Sequence, residues 1–248
     1  MIVAESRATE VLALSYDWTG GIASRRAGGE TRCGRRKAGA RLGGPLCRTH
    51  RTWRLAWWRR LQGKRMVAIV ALDDDTTDAT LGAIERIFFA SAGRTAFADA
   101  AERNAFRERW LGRYLEHDRA HVFLAREPGG AVAGYLVGCL EDPARTERFS
   151  DITFYPGFAD LTVRYPAHLH INLDPEWRSQ GIGARLIDAF VQQAARAGAA
   201  GMHVVTAGAA RNVGFYRRCR FVPLREAQWN GNTVLLLGRD LVAEPHLA

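Results

Sequence analysis

Hydrophobic and polar positions follow no consistent period over residues 1–65, then fall into order at Met66. Val67–Leu72 is a short apolar run that predicts a strand. DDDTTD follows, supplying the capping and acidic first-turn residues that open a helix, and Leu81, Ile84 and Phe88 then recur at helical spacing. A second helix is expected near Asp99–His117, where Phe106, Trp110 and Tyr114 stand four apart. His121–Arg126 and Ala131–Leu140, separated by a Pro-Gly-Gly turn, predict a β-hairpin. Residues 141–166 form a longer connection carrying Phe149, Phe154, Tyr155, Phe158 and Tyr165. A loop of that length more often lines a functional site than a core.

The second half is as regular. Ala167–Leu173 predicts a strand, 184–197 a helix closed by Gly198, Met202–Thr206 a strand and Arg211–Arg218 a short helix. Phe221–Gln228 and Thr233–Leu241 pair across Asn230-Gly231, the strongest short hairpin signal. The order β-α-α-β-β-β-α-β-α-β-β predicts an α/β (α+β) domain, a mixed central sheet of about seven strands with helices on both faces.

Charge changes the picture in one place. The chain of 248 residues carries a net +9, but residues 1–65 hold 15 Lys+Arg against 4 Asp+Glu, whereas 66–248 hold 20 against 22. Two parts follow: 1–65, a basic Arg/Gly-rich leader expected to be disordered or non-native, and 66–248, a folded domain. TWRLAWWRR in the leader mixes Trp with Arg, so nucleic acid enters the expectations only through this arm. No apolar run is long enough for a transmembrane helix, so no membrane partner is expected. The four cysteines lack disulfide-framework spacing, which points to reduced thiols and a cytoplasmic location, and no metal set is complete.

The candidate chemistry lies in RSQGIGARL, Arg178–Leu186, where a strand gives way to a helix. A helix N-terminus leaves unpaired N–H groups and a partial positive charge, which together stabilise a phosphate. Glycine lets such a ligand approach the backbone. The Walker A lysine and the third glycine of the dinucleotide fingerprint are absent.

AHLHINLDPEWRSQGIGARLIDAF resembles the acetyl-coenzyme A motif of the GCN5-related N-acetyltransferase (GNAT) superfamily, with Arg178, Gly181 and Gly183 at its signature positions. RNVGFYRRCRF resembles that family's second motif through Asn212, Phe215, Tyr216 and Phe221; Arg220 stands where glycine is usual. YPAHLHINLDPEW, GFYRRCRF and NTVLLLGRDL are most similar to the acetyltransferase-like domain of O-GlcNAcases and its stand-alone bacterial relatives. The resemblance covers roughly Val67 to Leu241. It implies a GNAT fold with a V-shaped splay between the fourth and fifth strands, and direct transfer of acetyl from acetyl-CoA to a primary amine on a small molecule or peptide. A catalytically inactive acyl-CoA-binding module is the alternative, and a homodimer is among the expectations.

It also implies site residues. Ile171, Asn172 and Leu173 would bond the pantetheine arm, and Arg178, Ser179, Gln180, Gly181, Ile182, Gly183 and Ala184 would hold the diphosphate. Asn212 and Phe215 would pack against the far part of the cofactor. Leu173 N–H would hold the oxyanion, and Tyr216 would protonate the leaving thiolate. For the base, His168 and His170 share one strand face, with His170 the candidate. Glu141 and Asp142 are rivals, Glu141 the candidate, and Asp174 caps a turn. The aromatic 141–166 loop and Trp229 would shape the acceptor site.

Overall fold

The computed structural model describes residues 66–73, 76–94 and 96–241. The leader over 1–65 therefore lies outside the described residues. The elements are β1 (Ala68–Ala71), α1 (Asp78–Ser91), and α2 (Ala100–Arg107), which continues through a π-helical turn at Glu108–Gly112 into α3 (Arg113–His117). Next come β2 (Val122–Arg126), β3 (Val132–Cys139), the short α4 (Ala159–Thr162), β4 (Ala167–Leu173) and α5 (Ile182–Arg196). The chain ends in β5 (Gly201–Ala207), α6 (Val213–Arg218), β6 (Val222–Trp229) and β7 (Asn232–Asp240).

Local chemistry explains the boundaries. Thr77 caps α1 by accepting from Thr80 N–H, and Asp99 caps α2 by accepting from Glu102 N–H. Asn230 and Gly231 both take positive φ, 48° and 77°, as the two-residue β6–β7 turn requires. Helix α5 starts at Ile182, two residues before the position expected from the sequence, because Gly181 at φ 80° serves as its N-cap.

The seven strands run in the order β1-β2-β3-β4-β5-β7-β6, antiparallel throughout except for β4 and β5. Those two pair only at Ala167–Met202 and His168–His203. Beyond that point β4 stays with β3 through Leu173, and β5 stays with β7 through Ala207. Each is held by its outer neighbour, so they diverge, and the V opens along residues 169–173.

Two hydrophobic clusters cover the two sheet faces. One packs α5 on the sheet through Leu169, Ile171, Ile182, Leu186, Ile187 and Phe190. Gly138 makes room for it: a Cβ there would stand 2.4 Å from the Phe190 ring. The other cluster packs α1, α2 and α3 with Phe149, Ile152, Phe154, Tyr155 and Phe158. This corrects the reading of the 141–166 loop. Its aromatic rings are core, and Trp229 joins them, its ring 5.1 Å from Phe154 and its Nε1–H donating to Thr153 Oγ1 at 2.8 Å. Burying a large apolar ring is worth about 2–3 kcal/mol, which draws these side chains inward whatever the length of the loop. Among the described residues no helix is long and apolar enough to cross a membrane.

Candidate functional site

The open part of the V is a slot lined by Ile171 and Leu173 of β4, Arg178 and Gly183 of the cradle, and Asn212, Phe215 and Tyr216 at α6. Segments up to 45 residues apart in sequence thus converge on one cavity. Hydrogen bonds alternate along an antiparallel pair, and Asp174 N–H donates to Ala133 O at 3.0 Å. The phase that this sets turns the backbone groups of Ile171 and Leu173 away from β3 and toward the slot. Leu173 O accordingly accepts from Arg178 Nε at 3.2 Å and from Ser91 Oγ at 3.4 Å. The same phase corrects the role expected of Asn172. Its backbone pairs with β3, and its side chain donates to Tyr135 Oη on the opposite face.

The cradle is shaped by unusual backbone. Ser179 and Gly181 take φ of 62° and 80°, so the chain turns twice and aims the first N–H groups of α5 outward. Gly183 leaves little space for a side chain: a Cβ would stand 3.0 Å from the Phe215 ring, which would have to give by a few tenths of an ångström, and 3.5 Å from a Leu173 methyl. That position faces the slot, as close approach of a ligand to backbone requires. Ile182 is buried in the core, so only its backbone can serve the cradle. Gln180 donates instead to Glu176 O at 3.1 Å and fastens the turn. Asp174 does cap the turn before the cradle, accepting from Glu176 N–H at 3.2 Å, and it also meets Arg86 at 3.0 Å.

Helix α6 ends in a Schellman motif. Phe221 N–H donates to Tyr216 O and Arg220 N–H to Arg217 O, both at 3.0 Å, with Arg220 at φ 66°. The turn is therefore the one glycine usually makes, built with arginine. Arg220→Gly is expected to raise the unfolding free energy by about 0.5–1 kcal/mol, relief of left-handed strain outweighing the added freedom of the unfolded chain. A urea midpoint shifted upward at unchanged slope would register it.

The two expected bases behave differently from expectation. Glu141 follows the end of β3, and Cys139 there pairs with His168 near the start of β4. Glu141 is exposed and meets Arg148 at 3.1 Å. It is displaced from Ile171 by about five residues along the strand, about 17 Å, so the structure does not bring it to the slot. His170 projects from β4 on the face opposite Ile171. Its ring packs between Trp110 and Tyr114, at 5.4 and 5.3 Å, and Nε2 lies 3.1 Å from Tyr114 Oη. Burial, reinforced by the charge of Arg113, pushes its pKa down to about 3. The imidazole is therefore neutral at physiological pH, able to pass a proton but a weak base. Trp110 lies within the π-helical turn and Tyr114 directly after it, and both rings meet His170. The sequence pattern had assigned both rings simply to a helical core stripe, and nothing in that pattern marks a π turn.

Residues 118–223 match the family model described as Acetyltransferase (GNAT) domain. Solved structures share the fold. The protein named SsHAT is 22% identical with TM-score 0.54, the alignment covering 71% of this chain and 99% of that one. A protein from Desulfovibrio desulfuricans assigned to the GNAT acetyltransferases is 18% identical with TM-score 0.50, covering 71% and 100%. A protein from Pyrococcus horikoshii is 10% identical with TM-score 0.55, covering 71% and 98%. The splayed strands, the glycine cradle and the match over 118–223 agree on one likeness: this part of the chain is similar to the GNAT acetyltransferase domain, whose members use acetyl-CoA.

Proposed function

We propose that the protein moves an acetyl group from acetyl-CoA directly to a primary amine of a small molecule or peptide. The observation that carries the reading is the slot, in which β4 backbone, the α5 N-terminus and Tyr216 face one cavity. Acetyl-CoA brings a thioester whose carbonyl accepts the neutral amine nitrogen as the C–S bond breaks, and the proton that this nitrogen sheds passes through water to replace the one given to the departing sulfur. The chain's own residues do the rest. The N–H groups of Ile171 and Leu173 face the position where carbonyl charge gathers. Arg178 and the N–H groups of Gly183 and Ala184 suit the diphosphate. Asn212, fixed by Thr206 Oγ1 donating to its Oδ1 at 3.0 Å, and Phe215 wall the far side. Tyr216, buried at the slot, holds a proton for the departing sulfur.

We place the chain nearest the acetyltransferase-like domains of O-GlcNAcases, on the strength of the strand and hairpin motifs. We also place it in the cytoplasm, in keeping with Cys139 and Cys219, both buried and free. Mass spectrometry of amine libraries incubated with protein and acetyl-CoA tests the activity, and no product above the uncatalysed rate would remove it. The second reading, a module that binds acyl-CoA without turnover, is favoured by one observation: among the described residues, those lining the slot include no carboxylate and no histidine. Calorimetric binding without product would select it. Tyr216→Phe should lower kcat on the order of tenfold to a hundredfold with CoA affinity unchanged. A fall in affinity instead would make the tyrosine a packing residue.

A further inference from the structure

Two buried polar groups beside the V make no hydrogen bond among the described residues. One is Trp110 Nε1–H, on a side chain only 4% exposed. The other is Asn172 Oδ1: the Nδ2 of that amide donates to Tyr135 Oη, which leaves the oxygen at the far edge. A buried donor or acceptor in this state costs more than a made bond returns, so each suits a partner of matching chemistry.

Both groups stand at one place. His170 and Asn172 alternate with Ile171 along β4, so they share the sheet face that α1, α2 and α3 cover. The Trp110 ring lies 5.4 Å from His170. From the other arm of the V, Val205 and Ala207 of β5 pack toward the same face, and they and His170 keep part of their surface open. The V therefore opens on this side too. A molecule entering here meets a donor from Trp110 and an acceptor from Asn172, beside Ile171, whose N–H faces the slot.

The slot constrains the amine as well. Among the described residues lining it, the titratable side chains are those of Arg178 and Tyr216, a guanidinium and a phenol, types that already carry their protons at neutral pH. Burial keeps His170, on the other face, from taking one. An acceptor must therefore shed its ammonium proton to water unaided. An α-amino group, with a pKa of about 7.7–8.0, is about one-tenth neutral at pH 7, against about one part in 2,500 for an alkylamine such as a lysine side chain.

We propose that the acceptor is an α-amino carbonyl compound, an amino-acid amide or a peptide N-terminus, that enters the V from the α1–α3 side with its carbonyl oxygen on Trp110 N–H and an amine N–H on Asn172 Oδ1. The inference rests on the acetyl-transfer reading of the slot. The amine nitrogen bonds the acetyl carbon as the C–S bond breaks. Its proton goes to water and the sulfur takes the one Tyr216 holds, giving an N-acetyl product and free coenzyme A.

Calorimetric titration of the full chain saturated with coenzyme A, which forms no product, tests the recognition. Two probes are compared: phenylalaninamide, and β,β-difluorophenethylamine, whose fluorines weaken its basicity without supplying a carbonyl. Phenylalaninamide should bind on the order of tenfold more tightly. Trp110→Phe, which removes the N–H and keeps a ring, should bring the ratio toward one, chiefly by weakening the amide. A tetrapeptide opening with phenylalanine should match the amide if chain N-termini are the acceptors and fall behind it if free amino-acid derivatives are. Equal affinities of the two probes in the wild type, or a preference that Trp110→Phe leaves untouched, would overturn the inference while the slot assignment stands. With acetyl-CoA, kcat/KM for phenylalaninamide should exceed that for phenethylamine on the order of a hundredfold. Product from phenethylamine but none from phenylalaninamide would overturn the inference and leave acetyl transfer standing. No product from either would remove the transfer reading, and the inference with it.

Discussion

Lowering the pH from 7 to 4.5 is expected to cost the protein roughly 5 kcal/mol of stability from His170 and His203, with His168 acting in the same direction, a loss comparable to the whole stability of a marginal domain. The cause is a set of neutral histidines on β4 and β5, at the closed end of the V and just beyond it. His168 and His203 are buried and stacked with ring centroids 5.5 Å apart, and His170 follows on β4. Burial lowers all three, His170 to about 3 and His203 to about 4. Arg113 and Arg148 reinforce the effect, whereas Asp142 and the Tyr165 carbonyl oppose it at His203.

The sign follows from proton counts. Above pH 6.5 both folded and unfolded chains keep these rings neutral, and no stability is gained or lost. Below it the unfolded chain takes up three protons that the native state refuses. Stability therefore falls as pH falls, by about 1.4 kcal/mol per pH unit for each ring. Asp151, whose pKa its Arg113 and Arg109 partners lower, loses its contribution only at more acid pH. Urea midpoints between pH 7.5 and 4.5 should slide steeply from about pH 6 downward. A flat profile from pH 7 to 5 would show that these rings are charged in the native state or open to water.

Gly183→Val should abolish binding of coenzyme A at millimolar concentration, a drop of about three decades from an ordinary micromolar constant. The first carbon of any side chain there meets Phe215 at 3.0 Å and Leu173 at 3.5 Å, both walls of the slot. The two further methyls of valine then fill the space through which the ligand reaches the α5 N–H groups. Gly181→Val differs in mechanism: no atom lies within 4 Å of its Cβ position, so any loss comes from the φ of 80° alone. It should cost about 1–2 kcal/mol of stability and less affinity than the Gly183 change. Calorimetry and thermal unfolding of both variants separate the two effects, with Gly183→Ala as an intermediate should the valine protein unfold. Wild-type affinity in Gly183→Val would show that the cofactor does not use this slot.

Much of this was legible along the chain because its determinants are local. Alternation and helical spacing define the strands and helices, Asn230-Gly231 the final hairpin, and glycines beside a basic side chain the cradle. The resemblance of RSQGIG and GFYRRCRF to GNAT motifs joins two distant segments into one expected site, and the structure brings Arg178, Gly183, Phe215 and Tyr216 to one cavity. What remained beyond the sequence depends on non-local register and burial. The histidine face of β4 turns away from the slot because pairing with β3 sets the phase. Glu141 falls at the far end because β3 and β4 run antiparallel. The 141–166 rings become core because an apolar face of the sheet, formed by strands distant in sequence, stands waiting for them. No local pattern encodes those choices, since each is fixed by which surfaces meet once the chain has folded.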